Sequence, residues 1–348
     1  MRDGGYPKQL PTEMSVVSFI YRQCLVPSEG GNLVTKLRAG CFRFLRKVVL
    51  KCADPACQMD IRGNLLWMPF SHQLPFYVGP GSNYDKILRR ISDFIRASEG
   101  RVCGIDVGAN IGDTIRACAR DNPEDRFLGV EPNPVYFEYL KRNVAQLTGT
   151  RILQTVCTAT DQQATYQISS VRGTAQFAAS ASAEGLAIET KCLDSIVEQF
   201  PEFKQCNFFK IDTDGYDFEV MRGAKGLLET AKPAVFFECD VFGNPNYVAN
   251  TLKSLQFFAS TGYKHALVYD NFGYLFAQLK LGNAGDFPQA LFYQMASRRC
   301  YFDILVMRDA REFLKQEFDF FINSTPDKEC RLAAEQSAKL ILEKLNQP

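Results

Sequence analysis

The sequence predicts an α/β fold: a mostly parallel sheet with helices on both faces. The first observation is alternation. From residue 100 onward, short apolar runs trade places with segments of helical periodicity, the pattern of strands joined by crossover helices. The second is the turn that follows the first such run, "CGIDVGANIGDT", in which Gly108 and Gly112 bracket Ala109, Asn110 and Ile111. In an open α/β sheet, ligands sit outside the carboxyl ends of the strands, and this turn lies there. The third is composition. A chain of 348 residues with 46% apolar and 23% charged residues can bury a core and is too apolar to be disordered.

Taken in order, residues 13 to 50 read as helical. "LVTKLRAGCFRFLRKVVLKC" mixes apolar residues with Lys36, Arg38, Arg43, Arg46, Lys47 and Lys51. A basic amphipathic helix can lie on an anionic membrane surface, but an ordinary helix with a solvated basic face is the expected reading. "MDIRGNLLWMPF" predicts a hairpin turning at Gly63-Asn64. "SHQLPFYVGPGSNYD" reads as a loop, and "YDKILRRISDFIRAS" as a helix ended by Glu99-Gly100. "VCGIDVG" and "RFLGVEPN" are strands, followed by helices in "DTIRACARD" and "PVYFEYLKRNVAQL", the second opened by Pro134. "RILQTVCTA" is a strand, and "ATYQIS" and "LAIETKCL" are further strands around an Ala/Ser-rich loop. A short helix "DSIVEQF" precedes the strand "NFFKIDTDG", the helix "YDFEVMRGAKGLLET" and the strand "KPAVFFECD". "HALVYDNFGYLFAQ" carries a turn at Asn271 to Gly273, and "YFDILVMR" is a last strand. No clear crossover helix separates these final strands, so they are expected to be antiparallel. "CRLAAEQSAKLILEKL" closes the chain as a helix. The expected organisation is a helical extension and site cover over 1–95, the α/β domain over 96–310, and a helical segment over 311–348.

Composition also excludes. A net charge of +1 gives no global pull toward nucleic acid. No apolar run approaches the ~18 residues of a membrane span. "MRDGGYPKQLPTEM" lacks the apolar core of a signal peptide. Twelve cysteines fall at irregular spacings, several inside apolar runs. Reduced thiols in a cytoplasmic protein are expected. Cys52 and Cys57 have no second Cys or His pair to close a tetrahedral site, and the chain has two histidines, so no metal site is expected.

Three ligand classes compete for the glycine turn. A dinucleotide wants G-x-G-x-x-G, but the corresponding positions hold Gly108, Asn110 and Asp113, and an acid there would face a pyrophosphate. A nucleoside triphosphate wants G-x-x-x-x-G-K-[ST], which does not occur. S-adenosylmethionine carries no phosphate, and its cationic groups tolerate Asp106 and Asp113. The next strand ends at Glu131, an acid able to accept from both ribose hydroxyls. The third ends near Asp161, which could accept from an adenine amino group or simply serve a turn.

These residues carry a resemblance. "IDVGANIGDT", "VEPNP", "KCLDSI", "FFKIDTDGYDFEVMRGAKGLL", "PAVFFE" and "YDNFG" occur in the order seen in the FkbM family of S-adenosylmethionine-dependent methyltransferases, across roughly residues 100 to 310. "MPFSHQLPFY" and the "YD" after it also look like the upstream segment of some members. The resemblance implies a class I methyltransferase (Rossmann-like) fold, with a seven-stranded, mostly parallel sheet and an antiparallel last strand. It implies O-methylation, often of sugars, glycans or other metabolites, and contacts to the cofactor from Asp106, Gly108, Asn110, Gly112, Glu131 and Asp161. One departure stands out. The family usually has Asp-Val-Glu-Gly where this chain has Asp212-Thr213-Asp214-Gly215, an acid shorter by one methylene.

Methyl transfer to a hydroxyl needs alignment, exclusion of water and a proton acceptor. Asp212 and Glu238, at the ends of the fourth and fifth strands, are the expected acceptor side, with Asp214 and Asp240 beside them. Acids gathered at one rim should shift each other's pKa values. His72 is a further candidate base, folded over the site from outside the sheet. Asp214, Tyr84 and Tyr269 are candidate substrate contacts, and His265 is expected to be structural. The fourth strand ends in Asp-Thr-Asp-Gly, not the Asx-Pro-Pro-aromatic turn of base-directed enzymes, and an acidic rim repels a phosphate backbone. The expected function is therefore S-adenosylmethionine-dependent O-methylation of a small-molecule or glycan acceptor, without nucleic acid. The alternatives are an amide- or amine-directed methyltransferase of this fold, or a non-catalytic S-adenosylmethionine-binding module.

Overall fold

The computed structural model describes residues 15–25, 32–79, 81–120, 122–171, 174–179, 186–241, 244, 246–283, 285 and 287–345. They form two compact units, the boundary falling between residues 80 and 81.

In the first unit, the expected helical stretch is two helices, α1 (Val16–Cys24) and α2 (Leu33–Cys52). Each starts on a side-chain cap, Ser15 accepting from the Ser18 amide and Asn32 from the Thr35 amide. Strands β1 (Ala56–Ile61) and β2 (Asn64–Pro69) pair as the predicted antiparallel hairpin. The turn falls one residue earlier than expected. Arg62 and Gly63 both take positive φ, 51° and 86°, as a two-residue hairpin turn matched to strand twist requires. A short helix α3 (Leu74–Tyr77) follows. Arg46 of α2 is buried. Its guanidinium lies over the Tyr21 ring, 4.8 Å from its centroid, and donates to the carbonyls of Phe70 and Ser71.

The second unit begins with α4 (Lys86–Glu99), then alternates β3 (Cys103–Val107), α5 (Asp113–Cys118), β4 (Arg126–Val130), α6 (Pro134–Val144) and β5 (Thr150–Leu153). A second sheet interrupts: β6 (Val156–Cys157), β7 (Gln162–Val171), β8 (Thr174–Ala179) and β9 (Leu186–Lys191), in the order β6-β9-β7-β8. The stretch read as an Ala/Ser-rich loop thus contains β8; residues 180–185 of it lie outside the described residues. The main sheet resumes after α7 (Leu193–Gln199) with β10 (Phe208–Ile211), α8 (Asp217–Gly223), α9 (Lys225–Thr230) and β11 (Ala234–Cys239). It closes through α10 (Tyr247–Ser260), β12 (His265–Asp270), β13 (Leu275–Lys280), α11 (Phe287–Ser297) and β14 (Phe302–Met307), and helices α12 (Arg311–Ser324) and α13 (Lys328–Leu345) end the chain.

The main sheet has eight strands in the order β13-β12-β14-β11-β10-β3-β4-β5. The five from β5 to β11 are mutually parallel. The last strand, β14, inserts antiparallel between β11 and β12. This is the predicted seven-stranded class I sheet with its reversed last strand, and β13 adds an eighth strand at the edge by the hairpin at Gly273. The closing strands β12, β13 and β14 pair antiparallel, as expected, but the premise that no helix separates them is corrected. Helix α10 crosses from β11 to β12 and α11 leads into β14, so β12 runs with β11, and the reversals are at β13 and β14.

Both faces of the sheet are covered. Along β10, Phe209 and Ile211 join one apolar cluster, whereas Phe208 joins another; along β11, Val235 and Phe237 divide from Phe236 in the same way. Alternate side chains point to opposite faces, so each cluster marks one buried face. Helix α4 belongs to the second unit: Ile87, Leu88, Ile91 and Ile95 share a cluster with Phe236 and with Phe313 and Leu314 of α12. The observed unit boundary therefore lies before this helix, earlier than residue 95. Among the described residues, no helix is long and apolar enough to cross a membrane, and all twelve cysteines are unpaired.

Candidate active site

Parallel strands bring the carboxyl ends of β3, β4, β10 and β11 to one edge. A cleft open to solvent lies there, lined by Gly108, Asn110, Glu131, Thr155, Val156, Cys157, Asp212, Asp214 and Tyr216, with Val107, Val130, Pro132 and Thr213.

The turn after β3 is fixed by Glu131. One carboxylate oxygen accepts the Asn110 amide at 2.8 Å, and the other accepts the Asn133 amide at 2.8 Å. Asn110 takes φ 47°, a left-handed conformation that Asn tolerates. The glycines have a packing reason. A Cβ on Gly108 would meet the Asp212 carbonyl oxygen at 1.8 Å, and one on Gly112 would meet Leu140 Cδ1 at 2.8 Å. Gly108 lets the turn press against the end of β10, and Gly112 lets α5 seat on α6. Burial pushes Glu131 up to about 7, against the pull of its two amide bonds.

Lys210 of β10 lies in register with Asp106 of β3. Its ammonium sits 3.2 Å from Asp106 Oδ1 and 3.2 Å from Asp212 Oδ2, and donates to the Gly108 carbonyl at 3.3 Å. Lys210 and Asp106 are both buried. Burial raises Asp106 to about 6 although Lys210 pulls it down. One cation thus ties the ends of two strands to the glycine turn.

Around it stands an acidic rim. Burial, then Asp212, raises Asp214 to about 8 and Asp217 to about 7. Glu238 of β11 lies in register with Asp303 of β14, and both are pushed well above the usual carboxylate range. For Glu238 the causes are burial and then Asp212; for Asp303 they are burial and then Asp85. Like charges directly opposite on adjacent strands repel, and Asp303 also contributes to the rise at Glu238.

These shifts have a sign. Asp106, Glu131, Asp214 and Asp217 all bind protons more tightly in the folded chain than in the unfolded one. The stability they contribute is complete below about pH 4 and is lost as pH rises through 6 to 8. His265, whose pKa is lowered mainly by burial, acts oppositely, but only below its ordinary value. The melting temperature of the ligand-free chain is therefore expected to fall between pH 6.5 and pH 8.5. Calorimetric scans across that range check this, and a rising melting temperature would contradict the acidic rim.

Of the residues singled out in the sequence, Gly108, Asn110, Glu131, Asp212 and Asp214 line the cleft. Asp106 stands behind it, paired with Lys210, and Glu238 is coupled to its acids. Asp214 takes φ 49° and does not cap α8, which begins without a side-chain cap. Tyr84 is held protonated by Asp85 first, then burial, Tyr301 and Asp212, so it faces the same acidic field. Asp161 is not in the cleft wall; it is exposed and accepts the Cys192 amide at 2.7 Å. Tyr269 is fully buried, its hydroxyl donating to Glu317 at 3.0 Å. His72 lies in the first unit, buried, with Nδ1 accepting the Leu74 amide at 3.2 Å. Asp240 Oδ1 accepts the Val241 amide, at the start of a turn. His265 accepts the Ala310 amide. The sequence reading missed Lys210, Asp217 and Asp303. The signal for two of them was a charge inside an apolar strand, "FFKI" and "YFDILVM", which a buried strand tolerates only with a partner.

The reversed last strand and the glycine turn clasped by an acid of the next strand define a class I methyltransferase domain. Residues 106–265 match the family model described as the methyltransferase FkbM domain. Comparison with curated proteins gives no match. Among solved structures, the chain is similar to methyltransferase FkbM from Methylobacillus flagellatus, with 13% identity, TM-score 0.34 and coverage of 47% of this chain. It spans only 38% of that structure's length. It is also similar to a human methyltransferase 10 domain containing protein, with 13% identity, TM-score 0.35 and coverage of 76% and 93% of the two chains. A precorrin-6y C5,15-methyltransferase from Geobacter metallireducens gives 12% identity, TM-score 0.30 and coverage of 59% and 78%.

Proposed function

We propose that the chain transfers a methyl group from S-adenosylmethionine to a hydroxyl of a sugar, glycan or other small metabolite. The observation that carries this reading is Glu131: a buried carboxylate facing the cleft from the end of β4, each oxygen already fixed by one amide. Each oxygen keeps a second lone pair, so vicinal hydroxyls of a ribose could donate to a carboxylate that needs no reorganisation. Asp106 fits the same group. It is buried, and beyond its ion pair with Lys210 neither oxygen accepts a hydrogen bond among the described residues, so it can take a cationic amino group. Val130, Val156 and Cys157 give the cleft an apolar wall suited to a flat base. Bound there, S-adenosylmethionine supplies an electrophilic methyl group on a sulfonium.

The chain's own residues supply the rest. Lys210 holds Asp106 and Asp212 in place. Asp214 and Asp217, raised to about 8 and about 7, would give up their protons more readily beside a cationic donor and would oppose a phosphate-rich acceptor. Glu238 and Asp303, with proton affinities raised above the usual carboxylate range by burial, are suited to accept a hydroxyl proton.

The test is Glu131. Replacing it with Ala is expected to weaken S-adenosylhomocysteine binding by about 1–3 kcal/mol, the worth of charge-assisted hydrogen bonds. Glu131→Gln keeps the side-chain volume and separates lost charge from lost shape. Titration calorimetry on both variants reads the effect, and dissociation constants equal to the parent's would show that Glu131 does not face the ribose.

A further inference from the structure

Helix α2 presents an apolar face to solvent on the side opposite its packed face. Its 20 residues make a rod of about 30 Å. Leu33, Leu37, Phe44 and Val48 follow one another at spacings of four, seven and four residues and so form a stripe along the whole helix. Leu33 is 72%, Leu37 61% and Phe44 70% exposed, with Val34, Leu45 and Val48 exposed beside them. The packed face is carried by Ala39 and Arg46 on the far side. Solvent-facing stripes of this length are unusual in a soluble surface.

The charges beside the stripe say what covers it. The helix contains six basic residues and no acidic one. Arg46 is committed to the carbonyls of Phe70 and Ser71 and Arg43 donates to the Cys24 carbonyl at 3.2 Å, but Lys36, Arg38, Lys47 and Lys51 are exposed. On the helix wheel, Lys36 and Lys47 flank one border of the stripe and Arg38 the other, where long side chains can keep their ammonium and guanidinium groups at headgroup level while the stripe enters the acyl boundary. A second copy of this helix is a poor occupant, because two such faces would bring Lys36, Arg38, Lys47 and Lys51 of each copy together without an anion. Nucleic acid would leave the apolar centre unmatched.

We infer that α2 is a surface anchor that lays its apolar stripe into an anionic lipid bilayer. This departs from the sequence expectation of an ordinary solvated helix, because the face opposite the packing is apolar from Leu33 to Val48, with basic residues at its borders and Lys51 at its C-terminal end. The inference is independent of the methyltransferase reading. The experiment is sedimentation of the full chain with vesicles of phosphatidylcholine, with and without about one third phosphatidylserine. The chain is expected to pellet with the anionic vesicles, not with the neutral ones, and to be released by salt. Leu37→Glu/Phe44→Glu should abolish pelleting, and Lys36→Glu/Lys47→Glu should reduce partitioning at least about tenfold. All four positions are exposed, so melting temperature and S-adenosylhomocysteine affinity should stay at the parent's values. Equal pelleting with both vesicles, none with either, or variants that bind like the parent would overturn the inference. So would a dimer in size-exclusion chromatography that Phe44 supports without vesicles.

Discussion

Replacing Lys210 with Met is expected to destabilise the chain by about 3–5 kcal/mol at pH 8, the range for removing one partner of a buried ion pair. At about 2–4 °C per kcal/mol for a domain of this size, the melting temperature drops by roughly 6–20 °C. The reason is local. Lys210 is the cation within 3.2 Å of Asp106, and Asp106 is buried in the middle of a strand run that is otherwise apolar. Without the ammonium, that carboxylate keeps its charge in a low dielectric or takes up a proton. Its pKa is already raised to about 6 with Lys210 present. The loss should therefore shrink at pH 5.5, where Asp106 is protonated in either case. Adding Asp106→Asn to Lys210→Met should restore most of the stability at pH 8. Scanning calorimetry of the single and double variants at both pH values reads this out. A pH-independent loss, or one below about 1 kcal/mol, would mean that the ion pair does not organise the strand ends.

Converting Glu238 to Gln is expected to lower turnover by about 10²–10⁴, the usual worth of a general base, while S-adenosylhomocysteine affinity stays within a few-fold of the parent. Gln keeps shape and hydrogen bonding and removes only the proton acceptor. Asp303 stands in register across the strand pair, so it can take over part of the role. Asp303→Asn and the double variant are therefore measured beside it, and the double should be no less impaired than the worse single. Asp212→Asn is a less clean experiment, because Lys210 holds that carboxylate 3.2 Å away and its loss disturbs the glycine turn as well. The readout is S-adenosylhomocysteine release with a hydroxyl acceptor from a panel of monosaccharides and glycans. If the Glu238 and Asp303 variants all turn over near the parent rate, the base lies outside this pair.

Much of the second unit was legible because its strands are short apolar runs divided by periodic helices. Helix α10 escaped, although Tyr247, Thr251, Leu255 and Phe258 are buried at helical spacing. Its entry, Asn244-Pro245-Asn246, reads as a turn in sequence, and Asn246 at the N-cap makes no side-chain bond. Helix α11 is mostly apolar, "FPQALFYQMAS", and periodicity cannot separate such a run from a strand. The site was legible where chemistry is local: Glu131 and Asp212 each end an apolar run and stand out as acids. Asp303 did not, since its neighbour Glu238 is far off in sequence and meets it only because β14 inserts antiparallel beside β11. Lys210 read as one charge in a strand until the β3–β10 register set it beside Asp106. Tyr269 and Asp161 were chosen by sequence position, and only the fold reveals that Glu317 and the Cys192 amide engage them.

The central claim is that the cleft at Gly108 and Glu131 holds S-adenosylmethionine. Titration calorimetry of the parent chain with S-adenosylhomocysteine and, separately, with NAD tests it most directly. The account predicts one S-adenosylhomocysteine bound per chain and no heat of binding with NAD, because a pyrophosphate would meet the acids Asp212 and Asp214 of the cleft wall. Binding of NAD without S-adenosylhomocysteine would contradict it.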